Sequence, residues 1–290
     1  MALYVCSLNS GSNGNCYYVG NEEEAVLIDA GISCREIEKR MLRKGLDLQR
    51  VKALLISHEH SDHVKGAEVL ARKYQLPLYI SQRTYQYSGI HLKEHPVHYL
   101  QDRVPIELNS MTIHPFTKQH DAADPYSFNV TSKGLHVGVY TDMGSVCNNL
   151  SEHFKLCHAV VLESNYDEHM LDSGPYPAYL KHRIKSNKGH LSNAQALQLF
   201  KSHASPYLSH VILAHLSREN NLPQLAEENF YPHAGNTRVV VASRDEESEV
   251  FCIDVPEEQR HFEVPAVTKP VARKSKTKTP LINKQQLSLF

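Results

Sequence analysis

The sequence predicts an α/β fold, and three observations carry that reading. Short apolar runs such as "VKALLIS", "HAVVLES", "SHVILAHLS" and "TRVVVAS" recur between polar turns, as buried strands do. Helical patterns alternate with them, at "SCREIEKRMLRKGL", "PAYLKHRIKS" and "SNAQALQLFKSHA". At 290 residues the chain is long enough to bury the core that such layers need.

Taken in order, "LYVCSL" and "NCYYVG" flank the glycine-rich "NSGSNG" and read as two strands joined by a loop. "EEEAVLIDAG" adds a third strand that ends on Asp29. In the helix that follows, Ser33 and Glu36 form a capping box, Ile37, Met41 and Leu42 form the buried stripe, and Gly45 closes the end. "VKALLIS" is a buried strand that leads straight into "HEHSDH", with a helix ("VKGAEVLARKY") and a strand ("LPLYIS") behind it. "YSFNVTSKGLHVGVYTD" alternates like a hairpin with "SKG" as its turn, and "EVFCIDV" is a last strand. "HLKEHPVH", with His91, His95 and His98, reads as a surface loop. From about Val264 the composition turns to Pro, Lys, Thr, Val and Ser with no periodic apolar face. The folded domain is therefore expected over residues 1–263 and a flexible basic linker over 264–285.

Composition excludes several classes. No apolar run approaches the length of a membrane span, and no opening stretch has the form of an export signal, so a soluble cytoplasmic protein without membrane contact is expected. The six cysteines form no Cys-x-x-Cys pair and are expected to be reduced, small core residues. The net charge of -1 hides an asymmetry. Residues 264–290 carry six basic and no acidic residues, and the remaining 25 basic and 32 acidic residues leave the body at -7. The 19 histidines are many for a chain with no His tract, which points to chemistry.

"ISHEHSDHVKG" carries the strongest chemical signal. His58, His60, Asp62 and His63 form a His-x-His-x-Asp-His cluster just after a buried strand. Alternate residues of an extended segment point the same way, so His58 and His60 can grip one cation while Asp62 and His63 reach a second. Imidazole and carboxylate donors suit zinc, manganese or iron. Further donors fall where later strands end: His120 in "KQHDAADP", Asp142 in "VYTDMG" and His215 in "LAHLSREN". Asp142 is the candidate bridge, since one carboxylate can bind two cations.

These motifs resemble the metallo-β-lactamase superfamily over nearly all of residues 1–260. The resemblance implies an αββα four-layer sandwich with two divalent metal ions, zinc or manganese, along one edge of the sheets. It implies that His58, His60 and His120 hold the first metal and Asp62, His63 and His215 the second, with Asp142 between them. Asp29 would orient the histidine loop without touching metal. β-Lactamases of this fold usually lack the last His of the cluster, so His63 points instead to hydrolases of phosphodiesters and thioesters. "SLNSGSNGN", "HDAADPYSF", "LESNYDEHML", "YLKHRIKSNKGHLSN" and "LAHLSREN" are similar to the YycJ/WalJ-type exonuclease branch. That branch often has His where this chain has Tyr166, so position 166 is not expected to be a ligand. The short interval between Asp142 and His215 leaves no room for the large inserted domain of many RNA-processing relatives.

Phosphodiester cleavage also needs a grip on phosphate. His190 follows a glycine, Ser192 is a good N-cap, and a helix start offers free N–H groups to an anion. Asp62, His190 and His215 are the catalytic candidates, with His190 contacting the phosphate or protonating the leaving group. Lys181, Arg183, Lys185 and Lys188 lie just before it with no acid among them, a candidate track for a DNA backbone.

The chain ends on Gln286, Leu287, Ser288, Leu289 and Phe290, which matches the short peptide by which bacterial replication and repair proteins bind the sliding clamp. Leu and Phe anchors would fill apolar pockets on that partner. The expectation is a metal-dependent phosphodiesterase acting on DNA, a 5′-to-3′ exonuclease recruited by the sliding clamp in repair or replication. The alternatives are a hydrolase of small phosphodiesters or thioesters, and a non-catalytic clamp- and DNA-binding adaptor.

Overall fold

A computed structural model describes residues 2–261, and the readings for the linker at 264–285 and the clamp peptide at 286–290 lie outside the described residues. The chain opens with an antiparallel meander of β1 (Leu3–Asn9), β2 (Cys16–Gly20) and β3 (Ala25–Ile28). Helix α1 (Cys34–Arg43) then carries it to β4 (Val51–Leu55), parallel to β3. Helices α2 (Ser61–Val64) and α3 (Ala67–Tyr74) lead to β5 (Leu78–Ile80), and α4 (Gln82–Tyr87) leads to β6 (Val97–Tyr99), again in parallel.

The second half repeats this plan. Strands β7 (Ile106–Glu107), β8 (Thr112–Thr117), β9 (Tyr126–Ser132) and β10 (Leu135–Tyr140) form a second antiparallel meander. Helix α5 (Asn148–Phe154) precedes β11 (Ala159–Glu163). Helices α6 (Glu168–Ser173), α7 (Ala178–Lys185) and α8 (Asn193–His203) lead to β12 (His210–Ala214), and α9 (Pro223–Phe230) to β13 (Arg238–Val241). Strands β10 to β13 run parallel. Strand β14 (Phe251–Ile253) crosses back to pair with β1, so each sheet has seven strands.

Alternation along the strands builds three apolar layers. Leu3 and Val5 of β1, Val137 and Val139 of β10, and Val161 of β11 meet in the layer between the sheets. Cys6 and Leu8 of β1 face the other way, against Ile37 and Met41 of α1 and Leu70 of α3. Val160 and Leu162 of β11 face Phe154 of α5, Leu199 of α8 and Phe230 of α9. The architecture is the expected αββα sandwich.

Local differences have physical reasons. Leu42, expected in the buried stripe, is 80% exposed, because Ile37 and Met41 already fill the face of α1 that meets the sheet. Only half of the expected capping box forms: Ser33 Oγ accepts from Glu36 N–H at 3.3 Å. The helix expected over "VKGAEVLARKY" starts only at Ala67, because Gly66 N–H donates to Ala30 O at 2.7 Å, and Val64 instead ends the separate α2. The cysteines are free, but Cys252 on the edge strand β14 is exposed and Cys147 half-buried, so those two are not core residues. His98 joins the edge strand β6 and stacks on Tyr79 with ring centroids 4.8 Å apart.

Candidate metal centre

The C-terminal ends of β3, β10 and β12 carry Asp29, Asp142 and His215, and all three have left-handed backbones (φ 61°, 52° and 56°). That conformation is unfavourable for a side-chain-bearing residue, and such residues concentrate where geometry matters to function. Each turn is pinned by hydrogen bonds. Asp29 N–H donates to Leu55 O at 2.8 Å, and His215 N–H donates to Ser10 Oγ at 2.8 Å. On either side of Asp142, Lys118 Nζ donates to Thr141 O and Met143 N–H donates to Glu163 Oε2, both at 2.7 Å.

The histidine loop leaves β4 and folds over the turn after β3. The buried Asp29 carboxylate accepts from Ser57 N–H and Ser57 Oγ, both at 2.8 Å, and lies 2.7 Å from His63 Nδ1. Asp62 O accepts from Asn15 N–H at 2.7 Å, so closely over Gly31 that a Cβ there would come within 1.7 Å of it. Glycine at 31 is what lets the loop seat.

His58, His63, His120 and His215 each spend Nδ1 on the protein, and His63 Nε2 also meets Asn15 Nδ2 at 3.1 Å. His63 holds Asp29 through Nδ1, and its Nε2 lies 3.2 Å from Asp142 Oδ2 and 3.5 Å from Asp62 Oδ2. His120 holds Gly189 O through Nδ1 at 3.1 Å, and His58 holds Ser57 Oγ through Nδ1 at 2.9 Å. His58 Nε2 faces His60 Nδ1 at 3.0 Å. His215 Nδ1 lies 2.9 Å from Glu163 Oε1. His120 Nε2, His215 Nε2 and Asp142 Oδ2 are buried without a hydrogen-bond partner. Orphaned buried polar atoms of this kind are costly, and their convergence fits a cation.

The donor atoms fall into overlapping groups, each spanning no more than 4.8 Å: His58, His60 and His120; Asp62, His63 and His215; His58, His63 and Asp142; and Asp142, Glu163, His190 and His215. Asp142 thus lies next to donors of both sets named from the sequence. The protein's own charges favour positive charge here. Burial pushes His215 down, but Asp142, Asp62 and Glu163 outweigh it and raise the ring to about 10. Burial likewise opposes charge on His63, and Asp29 and Asp142 overcome it and raise its pKa well above the usual range. Burial alone dominates at His120, which falls to about 4.

Glu163 is the residue the sequence reading did not single out. It ends β11 and is completely buried. Its Oε1 lies 2.8 Å from His190 Nδ1 and 2.9 Å from His215 Nδ1, and its Oε2 accepts from the N–H groups of Met143 and Leu191. Burial raises its pKa, but the two histidines reverse this and hold it at about 2. The available signal was positional: "AVVLE" ends on an acid between strands that end on Asp142 and His215. His190, half-buried, stands with its ring centroid 5.2 Å from that of His215 and 5.3 Å from that of His120. Ser192 caps α8 in a full capping box with Gln195.

The basic residues before His190 are largely engaged within the protein. Lys181 Nζ donates to Asp172 O and Gly174 O, Lys185 pairs with the Asp172 carboxylate, and Arg183 pairs with Asp121 at 2.5 Å. Lys188 is exposed. Tyr166 is buried and bridges to Ser192, outside the donor groups.

A four-layer sandwich with a His/Asp cluster at its strand ends is an architecture whose donors could hold metal ions. Residues 10–139 match the metallo-beta-lactamase superfamily. The chain is 34% identical over 238 residues to exodeoxyribonuclease YycJ of Bacillus anthracis, covering 78% of this chain and 87% of that protein. It is 32% identical over 225 residues to exodeoxyribonuclease WalJ of Streptococcus pneumoniae serotype 2, covering 76% and 83%. Among solved structures, the metallo-beta-lactamase fold protein YhfI from Bacillus subtilis superposes with a TM-score of 0.66 at 16% identity, over 87% of this chain and 99% of that one, a likeness of fold. The chain belongs to the metallo-β-lactamase superfamily.

Proposed function

We propose that this protein is a metal-dependent exodeoxyribonuclease working in the bacterial cytoplasm. The observation that carries the reading is 34% identity, over 78% of the chain, to a protein named an exodeoxyribonuclease. The donor geometry supports it. In this reading His58, His60 and His120 hold one divalent cation, zinc or manganese, and Asp62, His63 and His215 hold a second, with Asp142 shared. When bound, such cations supply Lewis acidity toward water and phosphate oxygens.

The chain's own residues then divide the remaining work. Asp29 fixes the tautomer and orientation of His63 through its Nδ1. Glu163 does the same for His215 and holds His190 by Nδ1, leaving His190 Nε2 free to hydrogen-bond a phosphate oxygen or pass a proton to the leaving oxygen. Because Lys181, Arg183 and Lys185 have internal partners, DNA must compete for them, and Lys188 is the readier phosphate contact.

The domain reading belongs to the same proposal: a catalytic body over 1–263, a basic linker over 264–285, and residues 286–290 as a peptide that tethers the enzyme to a sliding clamp. A tether raises the effective concentration at clamp-loaded DNA without any new contact at the metal centre.

The test uses 5′- and 3′-labelled single-stranded and duplex DNA, with matched RNA, incubated with the purified protein and manganese or zinc. Shortening of DNA from its 5′ end, lost in Asp142→Ala, is the expected result. Absence of cleavage of any DNA with any metal would overturn the reading. Deleting residues 286–290 should abolish binding to the purified clamp while leaving cleavage of naked DNA intact.

A further inference from the structure

Beside the donor cluster lies a cavity of about 210 Å³ that none of the proposed cation donors lines. Part of its lining is polar: Ser12, Asp121, Asn165, Arg183, His190 and Ser217. Its wall is different in kind. Leu180 and Ile184, four positions apart on α7, share one helix face, and Tyr176, just before the helix, lines the cavity with them. An apolar helix stripe normally packs on a core. Helix α7 buries no residue. It is held instead through Lys181, Lys185 and the Arg183–Asp121 pair, which itself lines the cavity, while Leu180 and Ile184 face the cavity beside His190.

A ligand matched to this space has one flat apolar surface and one polar edge, and its polar edge lies at the metal centre. A nucleotide meets both conditions, with its base or sugar on the tyrosine and aliphatic wall and its phosphate toward His190. Size narrows the match. The cavity falls below the roughly 300 Å³ at which pockets for drug-sized ligands begin. It is nearer the size of one nucleoside than of a base pair. Resting on the exodeoxyribonuclease reading above, we propose that the Tyr176–Leu180–Ile184 wall receives a single unpaired nucleotide next to the scissile phosphate, so that a duplex end must open by one pair before each cut.

The consequence is a dependence on end pairing. Opening a pair is cheapest at a mismatch, so a duplex with a mismatched terminal pair should be cut at least about five-fold faster than a matched blunt end. The full chain with manganese is tested on both ends, together with an oligonucleotide bearing 2-aminopurine at its terminal nucleotide and phosphorothioate linkages to hold back cleavage. Emission should change on binding when 2-aminopurine is terminal and stay constant when it is internal. Both the emission change and the mismatch preference should shrink several-fold in Tyr176→Ala and in Leu180→Ala, with metal content and melting temperature retained. Equal rates on matched and mismatched ends, or equal emission at terminal and internal positions, would overturn the proposal while leaving the nuclease reading intact. Failure to bind or cut any DNA would overturn both.

Discussion

Glu163 Oε1 lies 2.8 Å from His190 Nδ1, a completely buried carboxylate holding a half-buried ring beside the candidate metal donors. The same oxygen lies 2.9 Å from His215 Nδ1. One carboxylate therefore sets the orientation of a proposed metal ligand and of the proposed phosphate contact together. Glu163→Gln keeps the shape, but its NH2 must face either the two ring nitrogens or the N–H groups of Met143 and Leu191, all of which need an acceptor. Activity should fall by about 10–100-fold, as for other partners of metal-bound histidines. Metal content measured on the same sample divides the loss between binding and turnover. Unchanged activity would remove Glu163 from the site.

Removing the cations should destabilise the fold as well as inactivate it. The buried orphan atoms His120 Nε2, His215 Nε2 and Asp142 Oδ2 then lose the partner that offsets their desolvation. A cation present at 1,000 times its Kd adds about 4 kcal/mol. For two sites in a chain of this size, chelation should lower Tm by roughly 10 °C or more, and manganese or zinc should restore it. A melting curve indifferent to chelator would contradict the assignment.

Lys118 is a buried cation, held by Thr141 O at 2.7 Å and set among the carboxylates of Asp142, Asp29, Glu163 and Asp62. Lys118→Met leaves the Thr141 carbonyl unpaired, at a cost of about 1–3 kcal/mol, and removes a charge that offsets those acids. The metal-free form should suffer more than the loaded one, because bound cations take over that neutralisation. Comparing the Tm loss with and without chelator checks this, and equal losses would refute it.

Acid should weaken the fold at a second place, away from the metals. His153 is buried, stacks on Phe116 at 4.4 Å, and has no partner for Nδ1. Burial, helped by nearby His114 and Arg103, pushes its pKa down to about 3. The unfolded chain titrates near 6.5, so between about pH 6.5 and 3 the unfolded state binds the extra proton. Stability is full above 6.5 and falls as pH drops to about 3 and below, by up to about 5 kcal/mol from this residue. His153→Phe keeps the stack and removes the titration, so its acid limb should be flatter in denaturant melts from pH 7 to 4. An unchanged limb would exclude His153 as a cause.

The sequence made legible what depends on local order. Buried strands read as apolar runs, and the histidine loop announced itself because its donors crowd six positions after β4. Asp142 and His215 stood out because they close such runs. Glu163 also closes one, yet an acid at a strand end looks like an ordinary exit to solvent, and its partners lie 20 to 52 positions away in the chain. The same distance effect hid the engagement of α7: Arg183 and Asp121 are 62 positions apart. Leu42 failed for a different reason, since a helix face has room for only one buried stripe and periodicity alone did not say where it ends. The short strands β6 and β7 and the one- to two-turn helices α4 and α6 carry too few residues for periodicity to register.

The central claim is a two-cation centre that shortens DNA from an end, and one titration tests it directly. Metal-free protein is loaded stepwise with manganese or zinc, and bound metal per chain is measured in the same samples as release of nucleotides from end-labelled DNA. The account predicts that activity rises as the second equivalent binds and that Asp142→Ala neither binds the full complement nor cuts. Full activity with one equivalent or none, or a fully loaded protein that leaves every DNA intact, would contradict it.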